Sequence, residues 1–193
     1  MWTGGWSSDV CSSDLSGTGF FFSDCRVVTC AHVLKGHADS TIAVTWQGKT
    51  SETVRVIEIY QGPIDLALLN VEFSPQMHPP CVFLDEAVNP FDRLYAYGYS
   101  DYFPNGSSIT VRCEGKVNEN NTTLIKVQAG QVRPGHSGSP ALNNETGKVC
   151  GLISQTRNRS TDLGGFLIPT TVIFTYFPNL RTLNQETATQ TQQ

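Results

Sequence analysis

The sequence lacks the features that mark several protein classes. No stretch of its 193 residues approaches the ~20 consecutive apolar residues that a membrane-spanning helix needs. Its 13 basic residues against 17 acidic ones give a net charge of −4, which leaves no electrostatic footprint for nucleic acid or an anionic membrane. Neither kind of partner is expected. There is no CxxC pair and no Cys/His spacing of a metal centre, so neither a metal nor another cofactor is expected. The opening Met1-Trp-Thr-Gly-Gly has neither the basic nor the apolar region of a signal peptide. Histidine is scarce: four residues, none of them after His136.

The N-terminal stretch stands apart from the rest. Trp6-Ser-Ser-Asp-Val-Cys-Ser-Ser-Asp-Leu15 reads like a translated frame of a short-read sequencing adapter. Residues 1–15 are therefore set aside as a non-native, adapter-derived segment, with the native N-terminus missing. Of the six cysteines, Cys11 falls in this segment, leaving Cys25, Cys30, Cys81, Cys113 and Cys150. A Cys25–Cys30 bridge across a hairpin competes with reduced thiols, and the odd count favours the latter. Localisation is thus unknown from the sequence, with the thiols leaning toward the cytoplasm.

From Ser16 onward the pattern is β. A glycine-started apolar run, Ser16-Gly-Thr-Gly-Phe-Phe-Phe22, turns at Ser23-Asp24 into Arg26-Val-Val-Thr29, the signature of a hairpin. A second hairpin is expected over 41–46 and 53–60, followed by a buried strand over 64–71. Residues 74–80, rich in proline, link two halves. Further strands are expected over 81–84, 93–99, 108–117, 122–128, 139–142, 149–155 and 165–168, with a short closing helix after Pro169. Many short strands and almost no helix predict an all-β barrel or sandwich. The polar residues 184–193 have no apolar period and read as a disordered tail, either a frayed terminus or a linker to a further domain.

The chemistry centres on Gln131-Val-Arg-Pro-Gly-His-Ser-Gly-Ser-Pro140. Ser137 sits on a tight turn, with Gly135 allowing close backbone approach and Gly138 leaving entry unblocked. A serine hydroxyl becomes an effective nucleophile when a neutral imidazole takes its proton. His37 and His78 lie in polar or proline-rich connections and read as solvated. His136 adjoins the serine but points elsewhere on a tight turn. His32 ends the β-branched run Val27-Val-Thr-Cys-Ala31, at the rim of a packed hairpin. Asp65 lies between Ile64 and Leu66-Ala-Leu-Leu69, where a carboxylate needs a partner, and an imidazole N–H is a suitable one.

These motifs together resemble the chymotrypsin-like (trypsin-like) serine peptidases: Ser16-Gly-Thr-Gly-Phe-Phe-Phe22, Val28-Thr-Cys-Ala-His32-Val, Asp65-Leu-Ala-Leu-Leu and Pro134-Gly-His-Ser137-Gly-Ser-Pro, in the order His, Asp, Ser. The short loops are most similar to compact bacterial members, including the HtrA protease domain, and the resemblance covers about Ser16 to Thr182. It implies two six-stranded antiparallel β-barrels, about 16–73 and about 81–183, within a protease domain over 16–183, and an active site in the cleft between them. It implies a serine endopeptidase acting on protein or peptide through an acyl-enzyme. His32 is then the general base, Asp65 its orienting partner and Ser137 the nucleophile, with the N–H groups of Gly135 and Ser137 as the oxyanion hole.

The departures from the family pattern carry information. His136 stands where zymogen-type relatives have an aspartate that pairs with a newly cut N-terminus, so that activation route is not expected. Gln131, at the base of the implied specificity pocket, is uncharged, so a preference for Arg or Lys is not expected. Ser154, Gln155 and Thr156 are expected to form the pocket wall, with Asp162 nearby. Val33 replaces the family's cysteine, removing its usual disulfide. A second reading is a protease-fold module that binds peptide, or senses, without cutting. An α/β-hydrolase esterase fails because its histidine follows the serine and its helices alternate with strands.

Overall fold

The computed structural model describes residues 6–7, 17–23, 25–35, 42–46, 48–51, 54–73, 79–100, 103–128, 132–156 and 163–191. In order these form β1 (Trp6–Ser7), β2 (Thr18–Ser23), β3 (Arg26–Thr29), a 3-10 turn (Ala31–Leu34), β4 (Val44–Trp46), β5 (Lys49–Ser51), β6 (Val54–Tyr60) and β7 (Leu66–Val71). The second half comprises β8 (Arg93–Ser100), β9 (Phe103–Glu119), β10 (Thr122–Gln128), β11 (Pro140–Asn143), β12 (Lys148–Thr156) and β13 (Gly165–Pro169). Helices α1 (Thr170–Tyr176) and α2 (Asn179–Thr191) follow.

The second half closes as a six-stranded barrel in the order β10-β13-β12-β11-β8-β9. The first half forms a seven-stranded sheet, β5-β4-β1-β2-β3-β7-β6, not recorded as closed among the described residues. The expectation of two six-stranded barrels is thus seen in one half. Strand patterning specifies which face is buried, but closure depends on whether the two edge strands meet. Trp6–Ser7 lie in the segment read as adapter-derived, yet they occupy the position between β2 and β4. Ladder pairing of two residues needs only backbone donors and acceptors, which almost any sequence supplies.

Why β2, β3 and β7 read as continuous apolar runs is clear from their two faces. Phe21, Val27, Ala67 and Leu69 point into the first half with Val44 and Trp46. Phe20, Phe22, Val28, Leu66 and Leu68 point the other way, into a core shared with Leu152 and Ile168 of the barrel, Ile173 and Leu180 of the helices, and Phe177 between the two helices. The period of two thus feeds two cores from one set of strands. Full burial of such a side chain stabilises by roughly 1.5–3 kcal/mol, so the shared core fixes the halves against each other. The strand expected over 81–84 is reduced to a single parallel bridge, Leu84 to Val149.

The tail departs from expectation. In place of disorder from residue 184, α2 runs to Thr191. Its anchor is Asn184, which is buried. The Asn184 amide nitrogen donates to the carbonyls of Phe22 (3.0 Å) and Val82 (2.7 Å), and its oxygen accepts from Leu84 N–H at 2.9 Å. A polar residue that satisfies two buried backbone groups and a half-buried one holds a helix that composition alone cannot. Cys25 and Cys30 are both free thiols, so the Cys25–Cys30 bridge does not form.

Candidate active site

Each candidate residue is delivered by a local break in the β pattern. His32 leaves β3 on the 3-10 turn, whose other residues Ala31, Val33 and Leu34 are buried. Asp65 follows the Gly62-Pro63 bend and takes a left-handed backbone, φ 49°, a conformation that aspartate tolerates better than most non-glycine residues. The turn carries its carboxylate inward, where it is buried.

Asp65 binds His32 twice. His32 N–H donates to Oδ1 at 2.9 Å, and the ring Nδ1 meets Oδ2 at 2.7 Å. The second contact assigns the ring proton to Nδ1, which leaves Nε2 as the basic nitrogen. The His32 side chain is 41% exposed against 12% for Asp65, so the imidazole bridges buried carboxylate and open surface. The carboxylate's third partner is Ser154, whose hydroxyl donates to Oδ2 at 2.9 Å.

Ser137 is tied to the same point. Its hydroxyl donates to the backbone carbonyl of Ser154 at 3.1 Å, so His32, Asp65, Ser154 and Ser137 form one connected cluster. The turn that presents it depends on two positive-φ glycines, Gly135 at 90° and Gly138 at 87°. A Cβ on Gly135 would run into Tyr99 O, and one on Gly138 into Thr18 O; only glycine fits either place. Among the described residues no backbone or side-chain acceptor takes the N–H of Gly135 or Ser137.

Around this cluster the expected residues take varied places. Ser154 is buried with its hydroxyl on Asp65, because a small hydroxyl beside a buried charge is drawn to the strongest acceptor in reach. Gln155 is exposed, Thr156 ends β12, and Gln131, His37, His78 and Asp162 lie outside the described residues. His136 is buried, with Nδ1 accepting from Arg133 N–H and Nε2 against Ser107 Oγ, both at 3.2 Å. Burial, with a smaller contribution from the Arg133 charge, lowers its pKa to about 4.

Two residues went unremarked as site components. Cys30, fully buried beneath the site, donates its thiol to Ile153 O at 3.4 Å. Burial, then the neighbouring Asp65, raises its pKa well above the ordinary range. Donor atoms of Cys30, His32 and Asp65 lie within 4.8 Å of one another, but the thiol is held protonated and the other two are bonded together, a hydrogen-bonded cluster in character rather than a metal cage. Thr18 contacts the turn directly: its N–H donates to Ser137 O at 2.8 Å and its hydroxyl to Gly135 O at 2.9 Å. The only sequence signal for Thr18 is its place between two glycines.

A six-stranded barrel beside a second β-sheet, with a histidine–aspartate pair from one half and a serine turn from the other, defines the class of trypsin-like folds. The chain belongs to the family of the trypsin-like peptidase domain, which it matches over residues 17–152. It is 29% identical over 169 residues to Protease Do-like 4, mitochondrial, of Arabidopsis thaliana, a match covering 81% of this chain and 30% of that protein. Protease Do-like 2, chloroplastic, of the same plant is 28% identical over 171 residues, covering 82% of this chain and 27% of the relative. The chain thus spans under a third of these relatives. Among solved structures, the Rv3671c protease of M. tuberculosis in its active form superposes with a TM-score of 0.71 at 24% identity, covering 88% of this chain and 76% of the other. The HtrA-type protease AlgW with decapeptide gives 0.71 at 17% identity, covering 91% and 56%.

Proposed function

We propose that the protein is a serine endopeptidase that hydrolyses peptide bonds through an acyl-enzyme, with His32, Asp65 and Ser137 as its triad. The observation that carries this reading is the 2.7 Å contact between His32 Nδ1 and Asp65, joined through Ser154 to the Ser137 hydroxyl. In this mechanism the Ser137 hydroxyl leaves the Ser154 carbonyl and attacks the scissile carbonyl carbon as His32 Nε2 takes its proton. Asp65 stays ionised and stabilises the imidazolium. His32 then protonates the leaving amine, and the reverse sequence with water releases the acyl group. The N–H groups of Gly135 and Ser137 receive the oxyanion, in keeping with their having no acceptor among the described residues; loss of one such donor typically costs about 10²–10³ in turnover.

The substrate is protein or peptide, as it is for proteases in the family. The uncharged Gln131 argues against selection for basic residues. A fluorophosphonate probe should label Ser137, with labelling abolished by Ser137→Ala and strongly slowed by His32→Ala. Labelling that persists in Ser137→Ala would overturn the assignment. Peptide binding without labelling or turnover would instead favour a non-cutting module.

A further inference from the structure

We infer that Thr18 is a positioning residue that sets the oxyanion-binding turn against the strand that leads to the base. This inference rests on the endopeptidase reading above. Thr18 is fully buried, and each of its polar atoms is committed. Its N–H donates to Ser137 O at 2.8 Å. Its hydroxyl donates to Gly135 O at 2.9 Å and accepts from Tyr99 N–H at 3.1 Å. Its carbonyl accepts from the Thr29 hydroxyl at 2.7 Å. One residue of β2 thereby joins β3, whose next residues lead to His32, to β8 and to the serine turn.

Geometry explains why the turn needs such a tie. The two donor N–H groups belong to peptide units on either side of Gly135–His136, and Gly135 has a φ of 90°. Glycine has no side chain to resist rotation, so the peptide orientation must be imposed from outside. The Thr18 hydroxyl holds the carbonyl of Gly135, and the Thr18 N–H holds that of Ser137. The segment between these two carbonyls carries the Ser137 N–H and the nucleophile. From the far side, Tyr99 O and Ser100 Cα crowd Gly135, and the Tyr99 N–H is itself fixed by the same hydroxyl. A valine in place of Thr18 keeps the β-branched shape but removes the donor to Gly135 O and the acceptor for Tyr99 N–H together.

Such a tie acts on the transition state more than on substrate binding, because the oxyanion forms only as the carbonyl is attacked. The test compares the full chain with Thr18→Val, Thr18→Ala and Thr18→Ser, using p-nitrophenyl acetate turnover above the Ser137→Ala background, with melting temperature measured in parallel. Thr18→Val is expected to lower kcat by about 10- to 100-fold with KM within about twofold, a fraction of the loss from removing an oxyanion donor outright. Thr18→Ser, which retains the hydroxyl, should recover kcat to within about threefold of the original. If Thr18→Val does not fold, Thr18→Ala carries the same comparison without the added methyl group. Unchanged kcat in a folded hydroxyl-less variant, or a loss that Thr18→Ser does not recover, overturns the inference. Absence of Ser137-dependent turnover in the unmodified chain, together with no fluorophosphonate labelling, would instead remove the endopeptidase reading, and the inference with it.

Discussion

Ser154→Ala is expected to slow the chemical step while leaving substrate binding intact. The Ser154 hydroxyl lies 2.9 Å from Asp65 Oδ2, and both residues are buried. A hydrogen bond to a charged group contributes about 1.5–3 kcal/mol. Asp65 retains both bonds to His32, so only part of that contribution reaches the imidazolium. A transition-state loss of about 1–1.5 kcal/mol corresponds to roughly a tenfold fall in kcat. The assay is steady-state cleavage of a quenched-fluorescent peptide chosen by library screening, comparing kcat and KM for the original and the variant. The pocket-wall role expected from the sequence makes the opposite prediction: altered KM and side-chain preference at unchanged kcat. That second outcome would refute the placement of the hydroxyl on the carboxylate.

Other perturbations probe the rest of the frame. Because His136 titrates at about 4 when folded and at its ordinary value of about 6.5 when unfolded, the unfolded chain binds the extra proton between those values. Stability should therefore rise with pH across that window and fall by about 3 kcal/mol as pH drops through it; urea unfolding of His136→Gln at about pH 4.5 and about pH 7 should show a flatter dependence. Gly135→Ala drives a Cβ into Tyr99 O at a positive φ, and kcat should drop by about 10²-fold or more; near-original turnover would contradict the turn geometry. Asn184→Ala leaves two buried backbone groups and a half-buried one without their partner and should cost about 2–4 kcal/mol in urea unfolding, with kcat per folded molecule unchanged.

How much of this was legible in the sequence differs residue by residue. Ser137 is marked by flanking glycines, and His32 by the apolar run that ends beside it. Asp65 is marked by being an acid inside an apolar strand. Each of these signals is local, and a local pattern can be read without knowing what lies opposite. The bond from Ser154 to Asp65 is not legible locally, since nothing in Ser154-Gln-Thr156 indicates that Asp65, 89 residues away, lies within its reach. Asn184 looked like the start of a polar tail because its partners are the backbone groups of Phe22, Val82 and Leu84, and a backbone group leaves no mark on residue type.

By itself the sequence indicated the β character and singled out Ser137, His32 and Asp65 as candidates for a nucleophile, a base and an acid. These follow from periodicity, turn residues and the improbability of a buried, unpaired carboxylate. Tertiary structure alone decided that one half closes as a barrel, that the tail is helical, that Ser154 serves Asp65, and that Thr18 joins the serine turn to the strand leading to His32. The physical reason is common to all four. Each depends on contacts between distant segments, such as the 117 residues between Thr18 and Gly135, and the partner atoms are largely main-chain groups that every residue carries.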